Sequence, residues 1–339
     1  MTPYFLWAIK NTCFTFIALR NLFFVATLLL YSTCTFSANT LKMAVLQFGT
    51  ANWELDVIKR HGLDQEQGFT LEVTKMAGKQ ATMVALQAGS VDVSVSDWIW
   101  VSRQRNSGKP YTFVPYSTAL GALVVPQGSD IKSINDLQGK KLGIAGGPLD
   151  KSWLLLQALA LQDSNIELSK TLTPVFAAPP LLNQQLKQGR IDAVLNFWPY
   201  IARLEALGMQ QIIGVEEVTH GLGINSRVPF VGYVFDELWA KENHQIIEGF
   251  IRATDKAKQI MQKSDQEWEL LRPLMKAPDN ATFIALRDGF RAGIPSRWSE
   301  QELKDANQLF DILFKLGGKK LVGNTTQLAP GTFWPNITD

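Results

Sequence analysis

Residues 86–98 read L-Q-A-G-S-V-D-V-S-V-S-D-W, and one hundred positions later residues 186–198 read L-K-Q-G-R-I-D-A-V-L-N-F-W. Leu86, Gly89, Val91, Asp92 and Trp98 meet Leu186, Gly189, Ile191, Asp192 and Trp198 without a gap. Both copies follow one physical plan. A helix ends at a glycine, which tolerates the left-handed conformation of a C-terminal cap. A run rich in β-branched and apolar residues follows, as a strand requires. A tryptophan then stands just past the strand's carboxyl end, where open α/β sheets bind ligands. The same offset relates Trp53 to Trp153, each shortly after an apolar run that meets a glycine. The repeat predicts two similar α/β lobes whose strand tips, carrying aromatic residues, face each other across a cleft.

The rest of the chain extends this plan. Strands are expected at 41–48, 69–73, 91–96 and 111–116, with helices between them, which implies parallel pairing through crossovers. Asn52 or Thr50 is placed to cap the first helix. The segment 119–126 is read as the passage into the second lobe. Strands at 141–145, 171–176 and 191–196 follow, and 229–235 returns to the first lobe. Two crossings make a hinge. Beyond them the pattern is helical: Ile246, Phe250, Ala253, Ala257 and Ile260 share one face. Ser299 and Glu302 form a capping box, and Gly317-Gly318 is expected to end the helix behind it. The divisions are 1–38 as a leader, 39–120 and 230–339 as the first lobe, and 121–229 as the second.

Residues 1–38 contain Lys10 and Arg20, no acid, an apolar run at 22–31 and small polar residues after it. That is the layout of a secretory signal peptide with cleavage near Ser37 or Ala38. The apolar run is short for a span, which needs ~20 residues, although a permanent anchor is the alternative reading. Both cysteines, Cys13 and Cys34, lie in this leader. The residues before Cys34 fit a lipid-attachment motif poorly. A mature chain without cysteine has no thiol nucleophile, cysteine-ligated metal or disulfide. Losing Lys10 and Arg20 also takes the net charge of +2 close to zero, which gives no electrostatic case for nucleic acid or an anionic membrane.

Catalytic frames are missing from the sequence. His61, His220 and His244 are far apart and in no metal-binding spacing. There is no G-x-S-x-G elbow and no phosphate-binding loop pattern. Gly146-Gly147 is either a tight turn or a backbone that approaches a ligand, with free N–H groups at the next helix start. Asp92 and Asp192 are expected to accept backbone N–H bonds rather than to catalyse. What remains is aromatic. Any one tryptophan is as readily a core residue, but Trp53, Trp98, Trp153 and Trp198 at equivalent tips point to a pocket. Trp100 is expected to pack in the core.

Three segments carry a family resemblance: L-Q-A-G-S-V-D-V at 86–93, I-N-D-L-Q-G-K-K-L-G at 134–143, and G-R-I-D-A-V at 189–194. In these the chain resembles the substrate-binding proteins of ABC importers, in the nitrate, taurine, alkanesulfonate and thiamine-precursor group related to NMT1-like proteins. The resemblance spans nearly all of the mature chain and rests on scaffold features. It implies a two-lobed type II periplasmic-binding fold, residence in the periplasm, action as a monomer and delivery of a small molecule to a membrane permease, with no cofactor. By position it implies a ligand pocket at Gly49, Thr50, Asn52, Trp53, Ser96, Asp97, Trp98, Ser117, Thr118, Gly146, Gly147, Asn196, Phe197 and Trp198.

Helix N-termini at Asn52, Asp97 and Ser152 offer an anion site. Against that, Asp97 and Asp150 put acids at the rim, with Lys151 as the basic group there. Tryptophan faces suit a planar or cationic ligand. The residues therefore favour a neutral or heteroaromatic organic molecule. Two alternatives share the fold: an enzyme of the thiamine-pyrimidine-synthase type, which uses cysteines that the mature chain lacks, and a binding protein that serves a sensor.

Overall fold

A computed structural model describes residues 39–295 and 299–335. The leader, its two cysteines and its cleavage site lie outside the described residues. The chain begins with β1 (Thr40–Leu46), β2 (Thr70–Met76), β3 (Val93–Asp97) and β4 (Tyr111–Ser117). It then runs through β5 (Ala122–Val125), β6 (Lys141–Ala145), β7 (Thr173–Ala177), β8 (Ala193–Asn196) and β9 (Gln210–Gly214), and returns in β10 (Val231–Asp236). Two five-stranded sheets result, in the orders β2-β1-β3-β10-β4 and β7-β6-β8-β5-β9.

The expectation of parallel sheets needs correcting. β1, β2 and β3 are parallel, as are β6, β7 and β8, but β10 runs antiparallel to β3 and β4, and β5 to β8 and β9. The reason lies in the crossings. The other strands end at the edge where the sheets face each other. A strand arriving from the opposite sheet enters at that edge and must run away from it. β9 had no distinct hydrophobic pattern in the sequence, and its residues are half-buried or exposed.

The repeat is built as a repeat. In the first lobe α1 (Ala51–Arg60), α2 (Leu63–Glu66), α3 (Lys79–Gln87) and α4 (Trp98–Arg105) connect the strands. In the second, α5 (Lys151–Ser164), α6 (Leu168–Thr171), α7 (Pro179–Lys187) and α8 (Trp198–Glu205) do so. Helices starting at 51, 79 and 98 recur at 151, 179 and 198. Gly89 and Gly189 end α3 and α7 with φ of 67° and 66°, where only glycine is unstrained. Asp92 Oδ2 accepts the Lys42 N–H at 2.8 Å, and Asp192 Oδ2 accepts the Lys141 N–H at 2.7 Å. Both aspartates thus tie the loop before one strand to the start of its neighbour.

After β9 come α9 (Val215–Gly221), α10 (Glu237–Glu242), α11 (His244–Lys263), α12 (Asp265–Met275), α13 (Asn280–Ala292) and α14 (Glu300–Val322). Phe250, Ala253 and Ala257 of α11 are fully buried, with Ile246 and Ile260 half-buried beside them. The Ser299–Glu302 capping box is formed. Gly317-Gly318 does not end α14. The helix kinks at Gly318 (φ 54°, ψ −156°) and resumes to Val322. A Cβ at Gly317 would stand 2.7 Å from Leu321 and 3.2 Å from Leu154, so this glycine lets α14 lie close to α5. Leu309, Phe310 and Leu313 of α14 join Trp98 of the first lobe and Trp153 of the second in one apolar cluster. The C-terminal helix therefore fastens both lobes. No helix among the described residues is long and apolar enough to cross a membrane.

Candidate functional site

The facing strand tips bring the expected residues together only in part. Trp53 and Trp198 meet across the lobes, edge to face, with ring centroids 6.2 Å apart. Trp198 also lies over Gly289 of α13, where a Cβ would come within 2.9 Å of the indole. Trp53 is buried against Trp268 and Phe290, while Trp198 keeps part of its surface open. The equivalent tryptophan of the first lobe behaves differently. Trp98 is fully buried, stacked on Phe230 at 5.8 Å and tilted against Phe333 at 6.0 Å. It is a core side chain in this structure and not a cleft wall. The α14 helix and the C-terminal segment that cover it come from sequence far from the repeat. Trp100 is half-buried against Tyr111, at 5.2 Å.

The polar residues divide in the same way. Gly49, Thr50, Ser117 and Gly147 are half-buried, and Gly146 and Phe197 are exposed at the strand tips. Asn52, Ser96, Thr118 and Asn196 are buried. Neither Thr50 nor Asn52 caps α1. Asn52 instead donates its Nδ2 to the carbonyls of Leu46 and Gly49, both at 2.8 Å, and so closes its own turn. Asn196 donates to Pro179 O and Asn183 Oδ1 and accepts the Phe197 N–H, which fastens α7 to β8. Thr118 is bound to the Gly293 carbonyl. Ser96 Oγ and Trp98 Nε1 are buried without a hydrogen-bond partner.

Asp97 links the lobes by charge. Its Oδ1 caps α4 by accepting the Trp100 N–H at 2.9 Å. Its Oδ2 takes Lys79 Nζ from its own lobe at 2.7 Å and Lys151 Nζ from the other at 2.9 Å. Burial pushes this carboxyl's pKa up, but Lys151 and Lys79 outweigh burial and hold it below the usual range. Lys79 escaped the sequence reading. It opens α3, and its repeat counterpart is Pro179. Asp150 similarly caps α5 by accepting the Trp153 N–H. Carboxylates of the chain thus already occupy two of the three helix N-termini offered as anion sites.

Separate from this ionic contact, whose residues do not line it, is an open cleft of about 820 Å³. One wall is α8, which presents Trp198, Ile201, Ala202 and Glu205, the helical spacing i, i+3, i+4, i+7. The opposite wall is α13, with Ala285, Asp288, Gly289 and Ala292. The floor is the crossing segment Ala119, Leu120, Gly121 and Ala122, and the start of α9 closes one end. The α8 wall could have been found by extending the helical face from Trp198. The α13 wall could not, because docking of the C-terminal helices leaves no local signal. Among the described residues there is no cluster of three or more side chains suited to a metal ion.

The sequence pattern described as NMT1/THI5 like matches residues 57–267, more than half of the chain. No curated protein matches in sequence. Among solved structures, the chain is similar to the periplasmic aliphatic sulphonate binding protein SsuA from Escherichia coli. That similarity has a TM-score of 0.70 at 18% identity, over 88% of this chain and 92% of that one. It is also similar to the alkanesulfonate-binding protein SsuA from Xanthomonas axonopodis pv. citri bound to MOPS, with TM-score 0.67, 17% identity and coverage of 87% and 98%. For the periplasmic nitrate-binding protein NrtA from Synechocystis PCC 6803 the values are 0.57, 14%, 74% and 70%. The fold is that of the two-lobed periplasmic-binding proteins.

Proposed function

The chain belongs to the NMT1/THI5-like family, and from that premise we propose that it is the periplasmic solute-binding component of an ABC importer. It takes up a small organic molecule between its lobes and hands it to a membrane permease. The observation that carries this reading is the cleft itself, whose walls α8 and α13 belong to different lobes joined through the segments 118–121 and 222–230. A molecule held by both walls favours the closed arrangement by the difference in its affinity for the two states. Of the positions expected from sequence, Trp198 lines this cleft and is the residue proposed to meet the ligand there, whereas Gly49, Thr50, Ser117, Gly146, Gly147 and Phe197 are not part of its lining. The solved relatives support the reading, since their names describe sulfonate and nitrate binders. The enzyme alternative draws no support from the sequence, which holds no cysteine after Cys34.

The test is a thermal-shift screen of a metabolite panel that includes alkanesulfonates, nitrate and heteroaromatic amines. Only a ligand of the folded state raises the melting temperature. Small-angle scattering with each hit should then show a smaller radius of gyration. A panel with no hit, or turnover of a bound compound without a permease, would overturn the proposal.

A further inference from the structure

We propose that the cleft selects an organic monocation, an ammonium or amidinium carried on an apolar or aromatic body that lies along α8 from Trp198 to Glu205. The proposal rests on the binding-protein reading and names its ligand class. It follows from where charge is already spent. The positive groups at the lobe contact, Lys79 and Lys151, both point at one oxygen of Asp97, and neither lines the open cleft. Asp97 and Asp150 cap two of the three helices whose N-termini the sequence offers to an anion. The open volume lies elsewhere and carries the opposite charge.

Its ionisable lining consists of Glu205, Glu216, Glu217, Asp288, Arg227 and His220. Arg227 is committed to Glu216 at 2.9 Å and to the Ala292 carbonyl at 3.0 Å. Glu217 accepts the Gly214 N–H as part of a capping box. Asp288 is paired with Arg287 at 2.8 Å. Among the described residues the Glu205 carboxylate, which is exposed at the edge of the cleft, has neither a hydrogen bond nor an ion pair. Partial desolvation raises its pKa, and no cation among the described residues opposes that shift. An unpaired carboxylate at the mouth of an apolar groove is the group a ligand cation satisfies.

The geometry sets the ligand's shape. Trp198 and Glu205 are seven residues apart on one helix face, a separation of about 10 Å. Ile201 and Ala202 form the apolar strip between them, and the Trp198 indole itself covers Gly289 of the opposite wall. An indole face also favours a cation or an aromatic ring over a hydrated anion.

The test uses three probes of one shape: 4-phenylbutylamine, 4-phenylbutanol and 4-phenylbutyrate. Each is titrated calorimetrically into the wild-type protein, Glu205→Gln and Trp198→Ala, with circular dichroism confirming that both variants are folded. The amine should bind at least about tenfold more tightly than the alcohol or the carboxylate. Glu205→Gln should abolish that preference while leaving the alcohol's affinity unchanged, and Trp198→Ala should weaken amine and alcohol alike. The proposal is overturned if the carboxylate binds as well as the amine, if Glu205→Gln keeps the preference, or if none of the three binds at millimolar concentration. A neutral or anionic hit from the metabolite panel would in each case leave the binding-protein reading standing, whereas a panel without hits would remove that reading as well.

Discussion

Replacing Trp98 with alanine separates a core residue from a ligand wall. The side chain is wholly buried and touches two aromatic rings, Phe230 and Phe333. Loss of a buried tryptophan costs about 3–5 kcal/mol through lost transfer energy and the cavity left behind. One feature offsets this. Its Nε1 is buried without an acceptor, a penalty of roughly 1–3 kcal/mol that alanine removes. The net expectation is therefore a loss of about 2 kcal/mol. Trp98→Phe keeps a ring, sheds the orphan donor and should cost about 1 kcal/mol or less. Trp198→Ala serves as the contrast. It leaves Trp53 without one edge contact at a partly open site, so its stability cost should be nearer 1 kcal/mol, and its effect should appear in ligand affinity. Urea unfolding followed by far-ultraviolet circular dichroism gives the stabilities without relying on indole fluorescence, and an unchanged m-value licenses the comparison. If Trp98→Ala left the urea midpoint in place and weakened binding, the assignment of Trp98 to the core would be refuted.

Further expectations attach to single contacts. Gly121→Ala would put a Cβ 1.9 Å from the Asn196 carbonyl oxygen, so the pairing of β5 with β8 must shift, at a cost of roughly 1–3 kcal/mol in thermal or urea melts. Lys151→Met removes the cross-lobe ion pair and should enlarge the ligand-free radius of gyration by scattering; no change would mean that the apolar contacts alone hold the lobes. Asp97 has a folded-state pKa below its unfolded value, so its contribution is complete above the unfolded value of about 3.9 and is lost as pH falls towards the depressed one. The destabilisation caused by Asp97→Asn should accordingly be constant between about pH 5 and 8 and shrink below about pH 4. Glu54 and Lys258, buried together at 3.2 Å with Tyr233 donating to Glu54, should each cost roughly 3–5 kcal/mol when removed singly, and Glu54→Leu with Lys258→Met should recover most of that loss in a double-mutant cycle. Intact mass of exported protein should begin near Ala38 or Asn39 and include neither cysteine.

What the sequence made legible was local. The repeat gave the strand–helix units because β-branched runs, glycine caps and helical spacing are set within a few residues. The strand expected at 141–145 forms over Lys141–Ala145, and that expected at 191–196 lies close to Ala193–Asn196. The capping box at Ser299 was readable because its two partners are three residues apart. The site was legible only where one lobe's own pattern decides it. Trp198 extends naturally along α8 to Glu205, yet the facing wall comes from α13, nearly a hundred residues later. Trp98 occupies the equivalent position but is covered by α14 and by Phe333, contacts that leave no mark near residue 98. The antiparallel strands were missed for a related reason: direction depends on which lobe the chain arrives from.

The two halves of the lobe contact differ although the fold is duplicated. The ionic contact uses Lys79, Asp97 and Lys151. One repeat length away, the counterparts of these residues are Pro179, Phe197 and Ala51, none of which bears charge. Symmetric halves would let a ligand lie in either sense with equal energy. Here one half is closed by ion pairs, and breaking them to admit a ligand would leave the buried Asp97 carboxylate without its cations at a cost of several kcal/mol. The other half offers apolar and aromatic surface, beside Trp53 and Trp198, that is displaced or covered at little cost. On the proposed binding-protein reading, a ligand is thereby directed to the α8–α13 side. The pairing of Lys151 with Asp97 also fixes how the lobes meet, since an ion pair tolerates fewer relative positions than an apolar contact of the same size. On this account the charged half sets the register of closure, and the apolar half, with Glu205 at its mouth, decides what is enclosed.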